Sequence, residues 1–372
     1  MAYIGKWVLG VACLSGLAGL PARGVTIDHS NFAAATSTAM SVMSKVGQLR
    51  WFFTHASVGA NIVTGMNDLH GTDTNRYRLT IYSVGTAGGG ANYRASTNPV
   101  STSNGVIYEC DRGNPGWANK LVCFSNSLVT SGWRFPKVNV AMDKFCWIDP
   151  DADSTNYCTL ISQLEVRYPE TLFIYLTMPL SGLSFDQNDE RNSFNRYVRS
   201  FCAANSKHLF DVADLEAWNQ AGVQQTYVSG GVTNQKMSFD YSEDTSSDWH
   251  LNATGRRRMA LAWYSLAAAL FAEDRDSDGS SDGDELLAGT EPANPDSTLE
   301  VHIAPQAFAG SGSNMVVSWV ASTSRYYSIQ RAVELAGSPV WSNRLADSLG
   351  ANAFTDAVGA APQHFYRLSA RQ

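Results

Sequence analysis

The chain has 372 residues, 44% of them hydrophobic and 16% charged, with a formal net charge of −7. That length suits two or three domains, and 10 Trp, 15 Tyr and 16 Phe exclude a disordered, collagenous or coiled-coil chain. The acidic balance lacks the footprint of a nucleic-acid binder, and no internal apolar run reaches the roughly 18 residues of a transmembrane segment.

Lys6, the apolar run 7–20 and the small residues Ala22 and Gly24 have the layout of a secretory signal, residues 1–24. Such a chain is expected to be secreted, periplasmic or at the cell surface, where disulfides form. Cys13 leaves with the signal, and Cys110, Cys123, Cys146, Cys158 and Cys202 remain. Cys110 with Cys123, and Cys146 with Cys158, would each close a short loop, although spacing does not decide connectivity. Cys202, in a helical pattern, suits a buried thiol. No spacing fits a zinc site or a redox pair, so the cysteines read as staples.

Residues 25–272 alternate strand-like and helix-like stretches. A strand over 49–54 ends at His55-Ala56-Ser57-Val58-Gly59, and Ile62, Met66 and Leu69 then follow at helical spacing. Further strands are expected at 138–142, 171–177 and 209–212, with helices at 160–168, halted by Pro169, at 192–205 and at 255–271. Short apolar runs between helices predict an α/β domain, a three-layer α/β/α sandwich with a mostly parallel sheet. An acidic stretch, 273–298, then leads to short alternating strands over 299–372, around Val301, Val316, Tyr327 and Tyr366, as in a small all-β sandwich domain.

Ser57 lies where a strand ends and a helix begins. There a hydroxyl stands above the carboxyl edge of a parallel sheet, beside N–H groups that can receive an oxyanion. Ser is also a favoured helix cap, so this position alone is ambiguous. Asp248-Trp249-His250 precedes the closing helix and supplies the imidazole and carboxylate that an activated serine needs. His55 suits either a pocket wall or a structural hydrogen bond. Trp117 and Trp249 suit core packing first and sugar stacking second. Gly85-Thr86-Ala87-Gly88-Gly89-Gly90 lacks the Lys-Ser/Thr of a phosphate loop and reads as a loop beside the active site.

Over residues 45–270 these motifs resemble the SGNH (GDSL-like) hydrolases. The first block corresponds to His55-Ala56-Ser57-Val58-Gly59. Lys144-Phe145-Cys146-Trp147-Ile148-Asp149 is similar to one branch's third block, Thr177-Met178-Pro179-Leu180 to the strand end after it, and His250-Leu251-Asn252 with Gly255 to the closing block. The resemblance implies Ser57 as nucleophile, His250 as general base and Asp248 as the orienting acid, with Ser57 N–H and Gly85 in the oxyanion hole and no cofactor for catalysis. The family's acid lies three residues before the His, where Ser247 stands here, which leaves Asp244, Asp240 or a dyad open. The Gly-x-Asn-Asp block is absent, and Lys144 or Asn61 are the candidates for its Asn. The expected reaction is removal of acetyl or another short acyl group from a polysaccharide or small ester. The alternative is a non-catalytic glycan-binding or calcium-dependent adhesion protein on a degenerate scaffold.

Residues 274–285 match the twelve-residue calcium loop, with Asp274, Asp276, Asp278, Asp282 and Glu285 at ligand positions, Ser280 offering its carbonyl, and Gly279 at the turn. Structural Ca²⁺ is therefore expected. The segment resembles thrombospondin type-3-like linkers, and flanking paired helices are not evident from the sequence. Its expected role is to stiffen the joint between domains. The C-terminal module could attach to glycans or a cell surface, or serve as a spacer.

Overall fold

The structure, a computed structural model, describes residues 24–85, 94–97, 104–185, 187–244, 249–299, 301–307, 313–319, 325–333, 340–358 and 365–371. The expected signal segment up to residue 23, the glycine-rich stretch beyond Gly85, and Asp248 lie outside them.

Seven strands form one parallel sheet: β1 (Thr26–Ile27), β2 (Arg50–His55), β3 (Thr80–Gly85), β4 (Val106–Asp111), β5 (Val140–Asp143), β6 (Leu172–Leu176) and β7 (Leu209–Phe210), in the order β1-β7-β6-β5-β2-β4-β3. Helices α1 (Met40–Val46), α2 (Val58–Thr72), α3 (Trp117–Val129), α4 (Ser154–Arg167), α5 (Asn188–Ala204), α6 (Val212–Ala217) and α7 (Ala253–Ala269) cover its two faces. The strand period of two decides which side chain serves which layer. Trp51 and Phe53 of β2 join a core with Ile62 and Met66 of α2 and Trp263 of α7. Phe52 points the other way, to Phe124 of α3, Tyr157 of α4 and Phe194 of α5. This is the expected three-layer sandwich, with every sheet pairing parallel.

The sequence pattern placed β2, β5, β6 and β7 within two residues. It did not delimit β3, β4 or α3. It also began α4 too late, because Asp153 caps the helix by accepting from Thr155 N at 2.8 Å and Asn156 N at 3.0 Å. A hairpin, β8 (Thr226–Ser229) with β9 (Val232–Gln235), lies between α6 and α7.

The acidic segment carries α8 (Asp282–Ala288), which begins within the last positions of the candidate calcium loop, and α7 ends before the loop starts. Leu286 and Leu287 are buried in the core of the large domain, and Asn139 Nδ2 donates to the Leu286 carbonyl at 2.7 Å. Beyond it, β10 (Val301–Ala307), β11 (Ser313–Trp319) and β14 (Ala353–Val358) form one antiparallel sheet. A second contains β12 (Tyr326–Ala332), β13 (Ser342–Leu349) and β15 (Phe365–Arg371). Val317, Trp319, Tyr327 and Ile329 fill the space between the sheets. Arg325 of this module donates to the Leu287 and Leu286 carbonyls at 2.8 and 2.9 Å.

The cysteine reading needs correction. No disulfide joins the described cysteines, and all five of them are buried thiols. Cys146 turns its Sγ to the Ala56 carbonyl, 3.3 Å away, and not to Cys158. Burial pushes the Cys158 thiol up to about 12 and raises Cys202 as well, so both stay protonated and behave as small apolar side chains. Among the described residues, no helix is long and apolar enough to cross a membrane.

Trp263 packs against Trp51 and Phe53 at ring-centroid distances of 5.2 and 5.1 Å. Trp263→Ala should therefore lower unfolding free energy by about 3–5 kcal/mol, read from the urea midpoint; a loss within 1 kcal/mol, the scale of an ordinary surface change, would contradict this packing.

Candidate functional site

β2 is the strand at which the chain order reverses, with β4 on one side and β5 on the other. Crevices at such points, beyond the carboxyl ends, are where open α/β sheets hold their sites. Ser57 stands there, with φ 57° and ψ −114°, a conformation few non-glycine residues adopt. Such a backbone costs on the order of 1–3 kcal/mol and persists only where its surroundings over-determine it.

Those surroundings can be enumerated. The Thr54 carbonyl accepts from Lys144 N at 3.1 Å, and the His55 carbonyl from Arg112 N at 2.9 Å. The Ala56 carbonyl takes Gly59 N at 3.0 Å and Cys146 Sγ at 3.3 Å. Thr54 Oγ1 donates to Asp143 Oδ1 at 2.5 Å, and that oxygen also receives Arg112 Nη2 at 2.7 Å. Each carbonyl leading into Ser57 is thus fixed from a neighbouring element. The N–H groups of Ser57 and Val58 stand at the open amino end of α2, ahead of its own ladder, where anionic oxygen is favoured.

Gly59 has a specific steric task. A Cβ there would lie 2.3 Å from His55 Cβ. His55 itself is buried, with Nε2 2.9 Å from Glu109 Oε2, so the structural alternative for this histidine is the observed one. Burial alone would raise the Glu109 carboxyl. Hydrogen bonds from His55 and Ser83, with the charge of His55, outweigh it and hold the group below the usual carboxylate range.

His250 reaches the same point from 193 positions away: its Nε2 lies 2.5 Å from Ser57 Oγ. α7 packs against α2 so closely that a Cβ on Gly65 would meet the Arg256 carbonyl at 2.3 Å. Asn61 of α2 accepts from Leu251 N at 3.0 Å, which secures the residue after His250. The His250 carbonyl receives Glu243 N at 2.8 Å, and Asn252 caps α7 by accepting from Gly255 N at 3.0 Å. Ser57 and His250 are both half-buried.

Gly85 ends β3, the edge strand, and β4 intervenes between it and β2. Asn61 directs its amide oxygen at the His250 loop. Lys144 is fully buried and donates to the Phe145 carbonyl at 2.8 Å. Burial lowers the Lys144 pKa and pushes nearby Glu216 up to about 8, so this pair drifts toward its neutral forms. Asp240 turns Oδ2 to Gln220 N at 2.9 Å. Trp249 is 1% exposed and stacks on Phe239, which makes it core. Three contributors were not singled out from the sequence, Arg112, Asp143 and Thr54, and Cys146 was read there as a staple and as part of the third block. Their one signal is position, each lying at or just beyond the carboxyl end of a central strand.

In the acidic segment, Asp274, Asp276 and Asp278 bring carboxylate oxygens within 4.8 Å of one another. Asp276 Oδ2, Asp278 Oδ2 and Glu285 Oε2 are buried and have no hydrogen-bond partner. Glu285 is 2% exposed, and its carboxyl is pushed up to about 8 by burial and by the charges of Asp276 and Asp278. Gly279, at φ 100°, supplies the sharp turn, and Ser280 N donates to Asp278 Oδ1 at 2.7 Å. Asp282 points elsewhere, to His208 Nε2 at 2.9 Å and to the Arg275 guanidinium at 2.7 Å. The donor set, all hard oxygen with three oxygens left unpartnered, fits a divalent cation such as calcium.

No family model matches this chain, and no curated protein does either. Among solved structures it is similar to a candidate acylhydrolase from Bacteroides fragilis NCTC 9343, at 12% identity and a TM-score of 0.37, covering 58% of this chain and 86% of that one. A second is described as a candidate platelet activating factor from Streptococcus pneumonia, at 14% identity and a TM-score of 0.34, covering 60% of this chain and 89% of that one. Likeness at this level says nothing of what this chain does.

Gly59→Ala should cost about 1–3 kcal/mol by overpacking. Adding His55→Ala should recover part of that loss, giving a coupling above about 0.5 kcal/mol in a double-mutant cycle; additive losses would refute the steric assignment.

Proposed function

We propose that the chain is a serine ester hydrolase that works through an acyl-enzyme. The observation that carries this reading is the 2.5 Å separation of Ser57 Oγ and His250 Nε2 at the switch point of the sheet. His250 Nε2 takes the Ser57 hydroxyl proton as Oγ bonds to the acyl carbon. The carbonyl oxygen becomes an anion facing the Ser57 and Val58 N–H groups, where such donors contribute about 3 kcal/mol each. The C–O bond to the alcohol then breaks, and the alcohol leaves with the proton from His250. Water, deprotonated by His250, attacks the acyl carbon, and His250 gives that proton to Ser57 Oγ as the bond between Oγ and the acyl carbon breaks and the acid departs. Asp248 is the proposed carboxylate that orients His250. The proposed ester is acetyl or another short acyl group on a polysaccharide or smaller alcohol, handled outside the cytoplasm.

Ser57→Ala and His250→Ala should each lower hydrolysis of p-nitrophenyl acetate by about 10³-fold or more, with far-UV circular dichroism unchanged. Asp248→Asn should leave the fold intact and lower kcat. A folded Ser57→Ala protein with undiminished turnover would end the reading.

We further propose that calcium is held by Asp274, Asp276, Asp278, Glu285 and the Ser280 carbonyl, with Asp282 acting behind them. Without metal, a Glu285 carboxyl raised to about 8 keeps its proton on folding. Its favourable share of stability is therefore full below the unfolded pKa near 4.3 and is lost as pH rises through about 8. The melting temperature with calcium should accordingly exceed that with chelator by a margin that widens from pH 5 to pH 8. A margin independent of pH, or none, would contradict the assignment.

A further inference from the structure

The amide that links Ala56 to Ser57 is a rigid plane, with its C=O and N–H pointing in opposite directions. Whatever fixes the Ala56 carbonyl therefore aims the Ser57 N–H, one of the donors at the amino end of α2. Two groups hold that carbonyl, Gly59 N at 3.0 Å and Cys146 Sγ at 3.3 Å. The Gly59 bond lies inside the turn that carries Ser57 and moves with it. The thiol is the tie to another element, the segment that follows β5.

That thiol stands in the place of a backbone donor. β2 and β5 run parallel with Thr54 opposite Asp143, and Lys144 N adds one further bond, to the Thr54 carbonyl at 3.1 Å. Parallel ladders bond at even spacing, through every second residue, so the next bond would run from Cys146 N to the Ala56 carbonyl. Cys146 N is committed elsewhere. It donates to Asp149 Oδ2 at 2.8 Å, and Asp149 N returns to the Cys146 carbonyl at 3.1 Å. The same Asp149 oxygen pairs with Lys120 Nζ of α3, and both side chains are buried. Turned off the sheet by this closed and anchored turn, residue 146 completes the ladder with its side chain. Lys144 Nζ donates to the sulfur at 3.8 Å, so the lone pairs are occupied on one side and the S–H serves the Ala56 oxygen on the other.

We propose that Cys146 is a positioning residue for the hydrolysis: by donating its S–H to the Ala56 carbonyl, it holds the Ser57 N–H on the oxygen that becomes an anion. The inference rests on the esterase reading and adds to it the group that sets an oxyanion donor. A carbonyl that accepts two hydrogen bonds also polarises its own amide and strengthens the N–H on the far side. Cys146 is fully buried, so it meets no substrate and acts through the peptide alone. A serine hydroxyl can make the same bond, and the side chains of alanine and valine cannot. Packing alone would rank them the other way, because a hydroxyl buried without a partner costs more than an apolar replacement.

The test measures kcat and KM for p-nitrophenyl acetate in wild type, Ser57→Ala, Cys146→Ser, Cys146→Ala and Cys146→Val, per folded molecule as read by near-UV circular dichroism. Inhibition by trifluoroacetone, which adds to an active serine as a hemiketal bearing the oxyanion, is measured beside it. Cys146→Ala should lower kcat by about tenfold or more, with KM held within about twofold and the ketone's affinity weakened in step. Cys146→Val should follow Cys146→Ala, and either one serves if the other does not fold. Cys146→Ser should recover most of the loss. Ser57-dependent turnover with kcat unchanged in the non-donating variants would overturn the positioning role and leave the esterase reading standing. So would a Cys146→Ser protein no better than Cys146→Ala, or a fall in kcat with the ketone's affinity unmoved. Turnover indifferent to Ser57 would remove the esterase reading, and the positioning role with it.

Discussion

The structure depends on one backbone conformation, Ser57 at φ 57° and ψ −114°. Left alone, a serine leaves that region at a gain of order 1–3 kcal/mol. What keeps it there is that no carbonyl before it can rotate. Lys144 N and Arg112 N, just past the ends of β5 and β4, take the carbonyls of Thr54 and His55, and Cys146 with Gly59 takes that of Ala56. The parallel sheet is thereby carried one residue beyond its last strand pairing. The turn is the point where the sheet's hydrogen bonds stop and the helix's have not begun, which is also why two N–H groups remain available to an incoming oxygen.

The position of His250 depends on helix packing and not on the sheet. α2 and α7 meet at Gly65, where no side chain keeps the backbones apart. Asn61, on the first turn of α2, takes the N–H of Leu251. The serine and the imidazole therefore start two helices that are fitted to each other, and the separation of Oγ and Nε2 follows from that fit. Any change that shifts α7 along α2 alters the Ser57–His250 separation without touching either group.

Much of this was legible in the sequence, and the rest fails for identifiable reasons. Ser57 and His250 could be read because each belongs to a local pattern, a strand-to-helix junction and a loop before an apolar helix. β3 and β4 could not be read, because their strands follow turn-rich segments and β3 shows mixed burial. With them went the correct neighbour of β2. Gly85 was singled out by its likeness to the family's second block, and the structure sets it at the end of the edge strand, on the far side of β4 from β2. Cys146 read as a disulfide partner because spacing alone cannot show that its sulfur faces the Ala56 carbonyl. The acidic loop was legible as a ligand pattern. That it begins a buried helix, tied to the large domain through His208, Asn139 and Arg325, lies in long-range contacts that no local pattern encodes.

That tie changes what a cation at the loop would do. Asp282 sends one oxygen to His208, whose other nitrogen accepts from Val25 N at 2.9 Å, next to the edge strand β1. Burial lowers His208 to about 4, so the ring is neutral at ordinary pH and donates its Nε2–H to Asp282 while Nδ1 accepts from the backbone. The loop, α8, the imidazole and the first strand thus form one buried hydrogen-bonded path. Repulsion among Asp276, Asp278 and Glu285 works against the fixed position of α8, and neutralising it would stabilise the edge of the sheet at the same stroke. The acidic segment is in this respect a part of the large domain's edge, and the small β-sandwich is attached to that edge by Arg325 at the carboxyl end of α8.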